Sequence, residues 1–105
     1  MRRVNEVVRE VVGTAIVEEL HDPRIGFVTV TAVETSPDLR TAQVHVSVLG
    51  SGEEREETME ALGAARKVLQ RTLGSQLSMK RTPKLTFHYD DSVERAARLS
   101  RMLEE

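Results

Sequence analysis

Apolar residues recur at three- and four-residue intervals from Val4 to Leu20, through Val7, Val8, Val11, Val12, Ala15 and Ile16. That spacing predicts one face of an α-helix of about five turns. Arg2, Arg3, Glu6, Arg9, Glu10, Glu18 and Glu19 largely avoid the face, so the helix is amphipathic. Its many valines are indifferent helix formers, and packing has to hold it. Asp22-Pro23 stops it, because a proline pushes the residue before it out of the helical region.

The period then changes to two. Residues 27–35 (FVTVTAVET) are rich in β-branched side chains and place Val28, Val30 and Ala32 on one side. Ser36-Pro37-Asp38 is a turn signal. Over 39–49, Ala42, Val44, Val46 and Val48 face one way and Thr41, Gln43, His45 and Ser47 the other. Two such runs across a short polar turn predict an antiparallel hairpin with one buried face.

Leu49-Gly50-Ser51-Gly52 breaks the strand, and a run of glutamates starts a second helix at its positive end. Met59, Leu62, Ala65, Leu69 and Leu73 continue a helical stripe, with Val68 beside it. Gly63 lies inside that stripe and is expected to mark a break, with Gly63→Ala destabilising. Gly74 either ends the second piece or loosens it. Leu85, Phe87 and Tyr89 alternate with Thr86 and His88 as a third strand. Asp91-Ser92-Val93-Glu94 reads as a capping box, and Val93, Ala96, Ala97, Ser100 and Leu103 as a last short helix, packed or frayed. The order α-β-β-α-(kink)-α-β plus a short C-terminal helix, with every strand apolar on one face, predicts a two-layer α+β domain. Its core is expected over about 3–90, with 91–105 as helix and tail.

Composition narrows the class. The 105 residues are 39% apolar and 30% charged, enough for one core in a soluble chain. There is no cysteine, which excludes disulfides, thiolate catalysis and cysteine-ligated metals, and fits a reducing compartment. No apolar run approaches the ~20 residues a bilayer span needs, and MRRVNE does not open a signal peptide. A cytoplasmic protein is the expectation.

The net charge of −2 conceals a segregation. Residues 53–60 hold five glutamates and one arginine. Residues 61–84 hold Arg66, Lys67, Arg71, Lys80, Arg81 and Lys84 and no acid, a net of +6. Phosphates respond to the local patch within a Debye length of ~8 Å, not to the average.

Catalytic chemistry finds little support. His45 and His88 share the open sheet face and read as solvated strand residues, since no His-x-x-x-His or His-Glu-x-x-His spacing accompanies them. Asp22 and Arg24, after His21, read as turn residues and Asp90-Asp91 as part of a helix cap. No nucleophile elbow, Walker loop or Gly-x-Gly-x-x-Gly is present. No enzyme, metal or cofactor is expected. The basic span reads as a phosphate-binding stripe, because mixed charges would serve solubility as well. Of Phe27, Phe87 and Tyr89, at least two belong to the core, so recognition leans on backbone charge and shape.

The stretch DPRIGFVTVTAVETSPDLRTAQVHVSVLG, then ALGAAR, then RTPKLTFHYDDS, resembles the ribosome-binding factor A family of small-subunit assembly factors. The resemblance runs from the first helix to about Asp91-Ser92. It implies a type II KH fold in which an Ala-x-Gly kink, matched to Ala61, Leu62 and Gly63, replaces the usual phosphate-clamping Gly-x-x-Gly loop. It also implies noncatalytic binding to the 30S subunit and its 16S rRNA in late maturation, support of 5′-end processing and of growth in the cold, and a functional link to assembly GTPases. Arg66, Lys67, Arg71, Lys80, Arg81 and Lys84 would bind rRNA, joined by Arg2 and Arg3, in a protein expected to act as a monomer away from membranes. Two other classes stay open. One is a protein-interaction module using the open polar sheet face (Thr29, Thr31, Gln43, His45, Ser47). The other is a small-molecule or metal-binding domain using His45 and His88.

Overall fold

The computed structural model describes residues 2–77 and 81–104. The elements run α1 (Arg2–Glu19), β1 (Val28–Thr35), β2 (Thr41–Val48), α2 (Gly52–Ala64), α3 (Arg66–Gln76), β3 (Lys84–Tyr89) and α4 (Ser92–Glu104). The sheet order is β1-β2-β3, with β1 antiparallel and β3 parallel to β2. A parallel neighbour cannot be reached by a tight turn, so the chain recrosses one face of the sheet, and α2–α3 is that crossover. α1 packs on β1 and α3.

The enclosed layer is aliphatic. Val8, Val12 and Ile16 of α1 meet Ala42, Val44 and Val46 of β2, Leu62 of α2, Leu69 and Leu73 of α3, and Leu85 of β3, all buried. Each buried leucine contributes about 1.5–3 kcal/mol relative to an exposed one. The opposite face carries Thr41, Gln43, His45, Ser47, Thr86 and His88. This is the expected two-layer, type II KH-like α+β architecture. Phe87 and Tyr89 pack against the core, whereas Phe27 stands outside it.

Four local expectations change. β1 contains a bulge: Val30 pairs with Val46, but Ala32 pairs with His45, leaving Thr31 as the extra residue. Inward alternation therefore resumes at Val33, and Ala32 is exposed. The helical break does not fall at Gly63. α2 continues through Ala61, Leu62 and Gly63 to Ala64, and the chain turns at Ala65, with φ −87° and ψ 2°. A helical ψ is near −42°, so this one residue redirects the axis. Its amide still donates to the Ala61 carbonyl (3.0 Å), and its carbonyl accepts from Leu69 (3.1 Å). Gly74 neither ends nor loosens α3, which runs on to Gln76; the glycine lets the helix approach Thr82, whose hydroxyl would lie 3.0 Å from an added Cβ. Finally, the capping box is at Ser51 and Glu54 of α2. Glu94, expected to close one at α4, instead accepts from the Tyr89 hydroxyl.

Gly63 has no left-handed backbone, and a Cβ built on it meets nothing within 4 Å. The expected effect of Gly63→Ala is thus reversed. It should stabilise by up to ~1 kcal/mol, as in any exposed helix interior. A thermal melt checks this, and a lowered midpoint would show that the site does not tolerate a helical side chain.

Candidate nucleic-acid interface

α3 presents two unlike faces because Leu69 and Leu73 turn inward. Gln70, on the flank of that stripe, fixes the helix against β3: its Nε2 donates to the Pro83 carbonyl, and its Oε1 accepts from the Leu85 amide (3.1 Å). Thr72 donates to Glu19 Oε2 (2.5 Å) and ties α3 to the end of α1. Arg66, Lys67 and Arg71 are left on the exposed side. Lys67 and Arg71 are one turn apart, about 6 Å along the axis. No side chain caps α3, so its first turn offers backbone amides and the positive end of the helix dipole beside Arg66 and Lys67.

The second basic group lies near the other end of α3. Gln70 and Gly74 face the segment before β3, which carries Arg81 and Lys84, both exposed. The Lys84 amide donates to the Arg40 carbonyl (2.8 Å), placing Lys84 at the hairpin-turn end of the sheet. The start of α1 reaches the same end, because Asn5 Oδ1 accepts from the Thr35 amide (3.0 Å). Exposed Arg3 therefore lies toward Lys84, and Arg2 opens the helix. Lys80 lies outside the described residues. Among those described, Arg66, Lys67, Arg71, Arg81 and Lys84 form no ion pair.

Acids are held apart from this surface. Glu53, Glu56, Glu57 and Glu60 are exposed on α2, and the groove between α1 and α3 is lined by Glu10, Glu18 and Glu19. A polyanion would avoid both. The sequence located the basic residues but missed Ala65 and Gln70. Ala65 is an ordinary helix former, and Gln70 carries no motif; a polar side chain bordering an apolar stripe was its only signal.

The open sheet face brings His45 and His88 together as cross-strand partners, with ring centroids 5.5 Å apart. His45 Nε2 is 3.3 Å from Glu34, and His88 Nε2 contacts Gln43 Oε1. Among the described residues, no three His, Cys, Asp or Glu side chains are placed to hold a metal ion. Asp90 has a structural task here. It accepts from the bulged Thr31 hydroxyl (2.7 Å) and the Ser92 amide (2.9 Å), and these bonds hold its carboxyl down at about 2, from 3.8. Asp22 and Arg24 are engaged with each other: the Arg24 amide, Nε and Nη2 all donate to the carboxylate, which lowers the Asp22 pKa and raises that of Arg24. Buried Thr58 then donates to the Arg24 carbonyl (3.0 Å), locking the loop to α2. This is a closed turn with no free catalytic group.

Comparison with known proteins agrees with the geometry. Residues 1–103 match the family model described as ribosome-binding factor A. The chain is 43% identical over 104 residues to ribosome-binding factor A of Halothermothrix orenii, covering 99% of this chain and 85% of that one. It is 44% identical over 103 residues to that of Thermomicrobium roseum, covering 98% and 80%. The fold is similar to the crystal structure of the Thermus thermophilus factor (TM-score 0.75, 27% identity, 84% of this chain and 92% of that one). It is also similar to the solution structure of a Thermotoga maritima protein described as a putative ribosome binding factor A (TM-score 0.77, 33% identity, 89% of each). A third similar structure is a homology model of the Thermus thermophilus factor fitted into the cryo-EM map of a 30S complex (TM-score 0.69, 28% identity, 83% and 91%). The chain belongs to the ribosome-binding factor A family.

Two predictions concern the open face. Replacing His45 and His88 together by Gln should change stability by no more than ~0.5 kcal/mol, and added zinc should not raise the melting point of the parent. Asp90 has a lowered folded-state pKa, so its contribution is present above about pH 4 and is lost as the pH falls toward about 2. Asp90→Asn should flatten the acid limb of the melting-temperature profile in that window. Parallel limbs for variant and parent would show that Asp90 does not set it.

Proposed function

As this chain is a ribosome-binding factor A family member, we propose that it binds the small ribosomal subunit in the cytoplasm, as a monomer and without chemistry of its own. It grips 16S rRNA phosphates through Arg66, Lys67 and Arg71 on α3, with Arg81, Lys84 and Arg3 extending the contact. The observation that carries this reading is the set of exposed cations without ion-pair partners on α3 and the segment before β3, beside an uncapped helix start. Backbone amides and forked guanidiniums both match phosphate oxygens. The Thermus thermophilus relative fitted into a 30S complex supports the choice of subunit.

The bound factor holds an immature rRNA conformation until another factor or subunit displaces it. Late maturation, 5′-end processing, growth in the cold and a functional link to assembly GTPases belong to the same family-based reading. Recognition is of backbone charge and shape, because α3 presents no aromatic side chain for base stacking.

Lys67→Glu combined with Arg71→Glu should leave the thermal melt nearly unchanged, since both side chains are exposed, yet weaken co-sedimentation with isolated small subunits. Ala at the same positions should flatten the slope of log K against log salt by about 0.7–0.9 for each phosphate no longer neutralised. Undiminished subunit binding by the doubly reversed protein in ~0.15 M salt, where surface charge still acts over ~8 Å, would exclude the α3 stripe.

A further inference from the structure

α4 leaves the last strand with none of its residues buried, and Val93, Leu99, Met102 and Leu103 are between 57% and 78% exposed. At 100° per residue, Leu99, Leu103, Ala96, Val93 and Ala97 occupy one arc of about 160°. Arg95 and Arg101 border the arc, and Arg98 lies opposite. Arg95 is paired with Asp91 (3.0 Å), whereas Arg98 and Arg101 have no partner among the described residues.

The apolar strip does not end with the helix. Val93 and Leu49 line one cleft, and the Leu49 amide donates to the Phe27 carbonyl (3.1 Å). Strand alternation puts Phe27 and Leu49 on the open sheet face, where they are 80% and 74% exposed. The start of α4 is held in place. Glu94 accepts from the Tyr89 hydroxyl (2.5 Å) and from Arg55 (3.4 Å), whose guanidinium lies over the Tyr89 ring, and Asp90 holds the Ser92 amide. A helix anchored at one end with an uncovered apolar arc is organised for docking before it meets anything.

We propose that α4, with Phe27 and Leu49 at its base, docks into an apolar groove with an acidic rim on a protein component of the small subunit. The inference rests on the preceding reading and adds a second, protein-directed contact to the rRNA stripe. Three features choose this occupant. An arc of ~160° exceeds the narrow seam used by two paired helices and suits a groove with walls. Arg98 and Arg101 beside the arc call for acidic groups on its rim. RNA would leave Leu99 and Leu103 uncovered, since its polar grooves and phosphates offer no apolar counterpart. A second copy fits poorly. Two 13-residue helices bury too little for the roughly 1,000 Å² of a stable interface, and each would bring the same three arginines.

The test uses the full chain carrying Leu99→Ser and Leu103→Ser, which should melt like the parent because neither side chain is buried. Affinity for isolated small subunits should fall at least tenfold with an unchanged salt slope, while affinity for protein-free 16S rRNA stays the same. Arg98→Glu with Arg101→Glu should also weaken subunit binding, and an unchanged value would remove the acidic rim. The proposal is overturned by undiminished subunit binding of the Leu99/Leu103 variant, or by an equal loss on protein-free rRNA. It is also overturned by a parent dimer in sedimentation equilibrium that the variant abolishes. A parent protein that binds neither subunits nor rRNA removes the ground for this proposal and for the rRNA stripe together, an outcome distinct from the other three.

Discussion

The parallel pairing of β3 with β2 is the constraint on which the rest depends. It obliges the chain between Val48 and Lys84 to leave one end of the sheet, cross a face and re-enter at the other end. That crossing brings Leu62, Leu69 and Leu73 over Ala42, Val44 and Val46 and closes the core. It also fixes which sheet face remains wet. Once α1, α2 and α3 share one layer, each has an outer side available for charge. The acidic first half of the crossover and its basic second half then become two separate surfaces.

The turn at Ala65 divides them. In an unbroken helix, the glutamates of α2 and the cations of α3 would lie along one rod, with no second helix start between them. With ψ near 0° at Ala65, α3 starts afresh and without a side-chain cap, so its amides and its dipole add to Arg66 and Lys67. A single conformational step thus converts a charge gradient along the sequence into a directional phosphate site.

Most of the fold was legible because it follows from periodicity. Valines at helical spacing, alternation in β2 and the proline before β3 each specify an element without help from the others. The bulge at Thr31 was not legible. The run Val-Thr-Val-Thr-Ala-Val alternates well through Ala32, and only the bond from Thr31 to Asp90, 59 residues away, gives the extra residue a role. The break at Ala65 was misplaced for a similar reason. Glycine is the local signal for a helical break, but the burial of Leu62 before the turn and of Leu69 after it sets where the axis must bend. Of the candidate site, the charges were readable from sequence and their support was not. Gln70 holds α3 through two backbone groups, of Pro83 and Leu85, that adjoin it only in the folded chain.

α4 marks the limit of pattern reading from the other side. Its amphipathic spacing is as regular as that of α1, yet α1 is covered by a sheet and α4 by nothing in this chain. An amphipathic pattern states that a face is suited to burial and says nothing about which surface buries it. In α1 the answer is supplied by the same polypeptide, through Val30, Val33 and the β2 valines. In α4 the first turn is fixed by Glu94, Asp90 and Arg55, so the helix cannot fold back freely to find cover. The cover must then come to the helix. A groove on an assembling particle can supply it only where the basic stripe has already brought the two together.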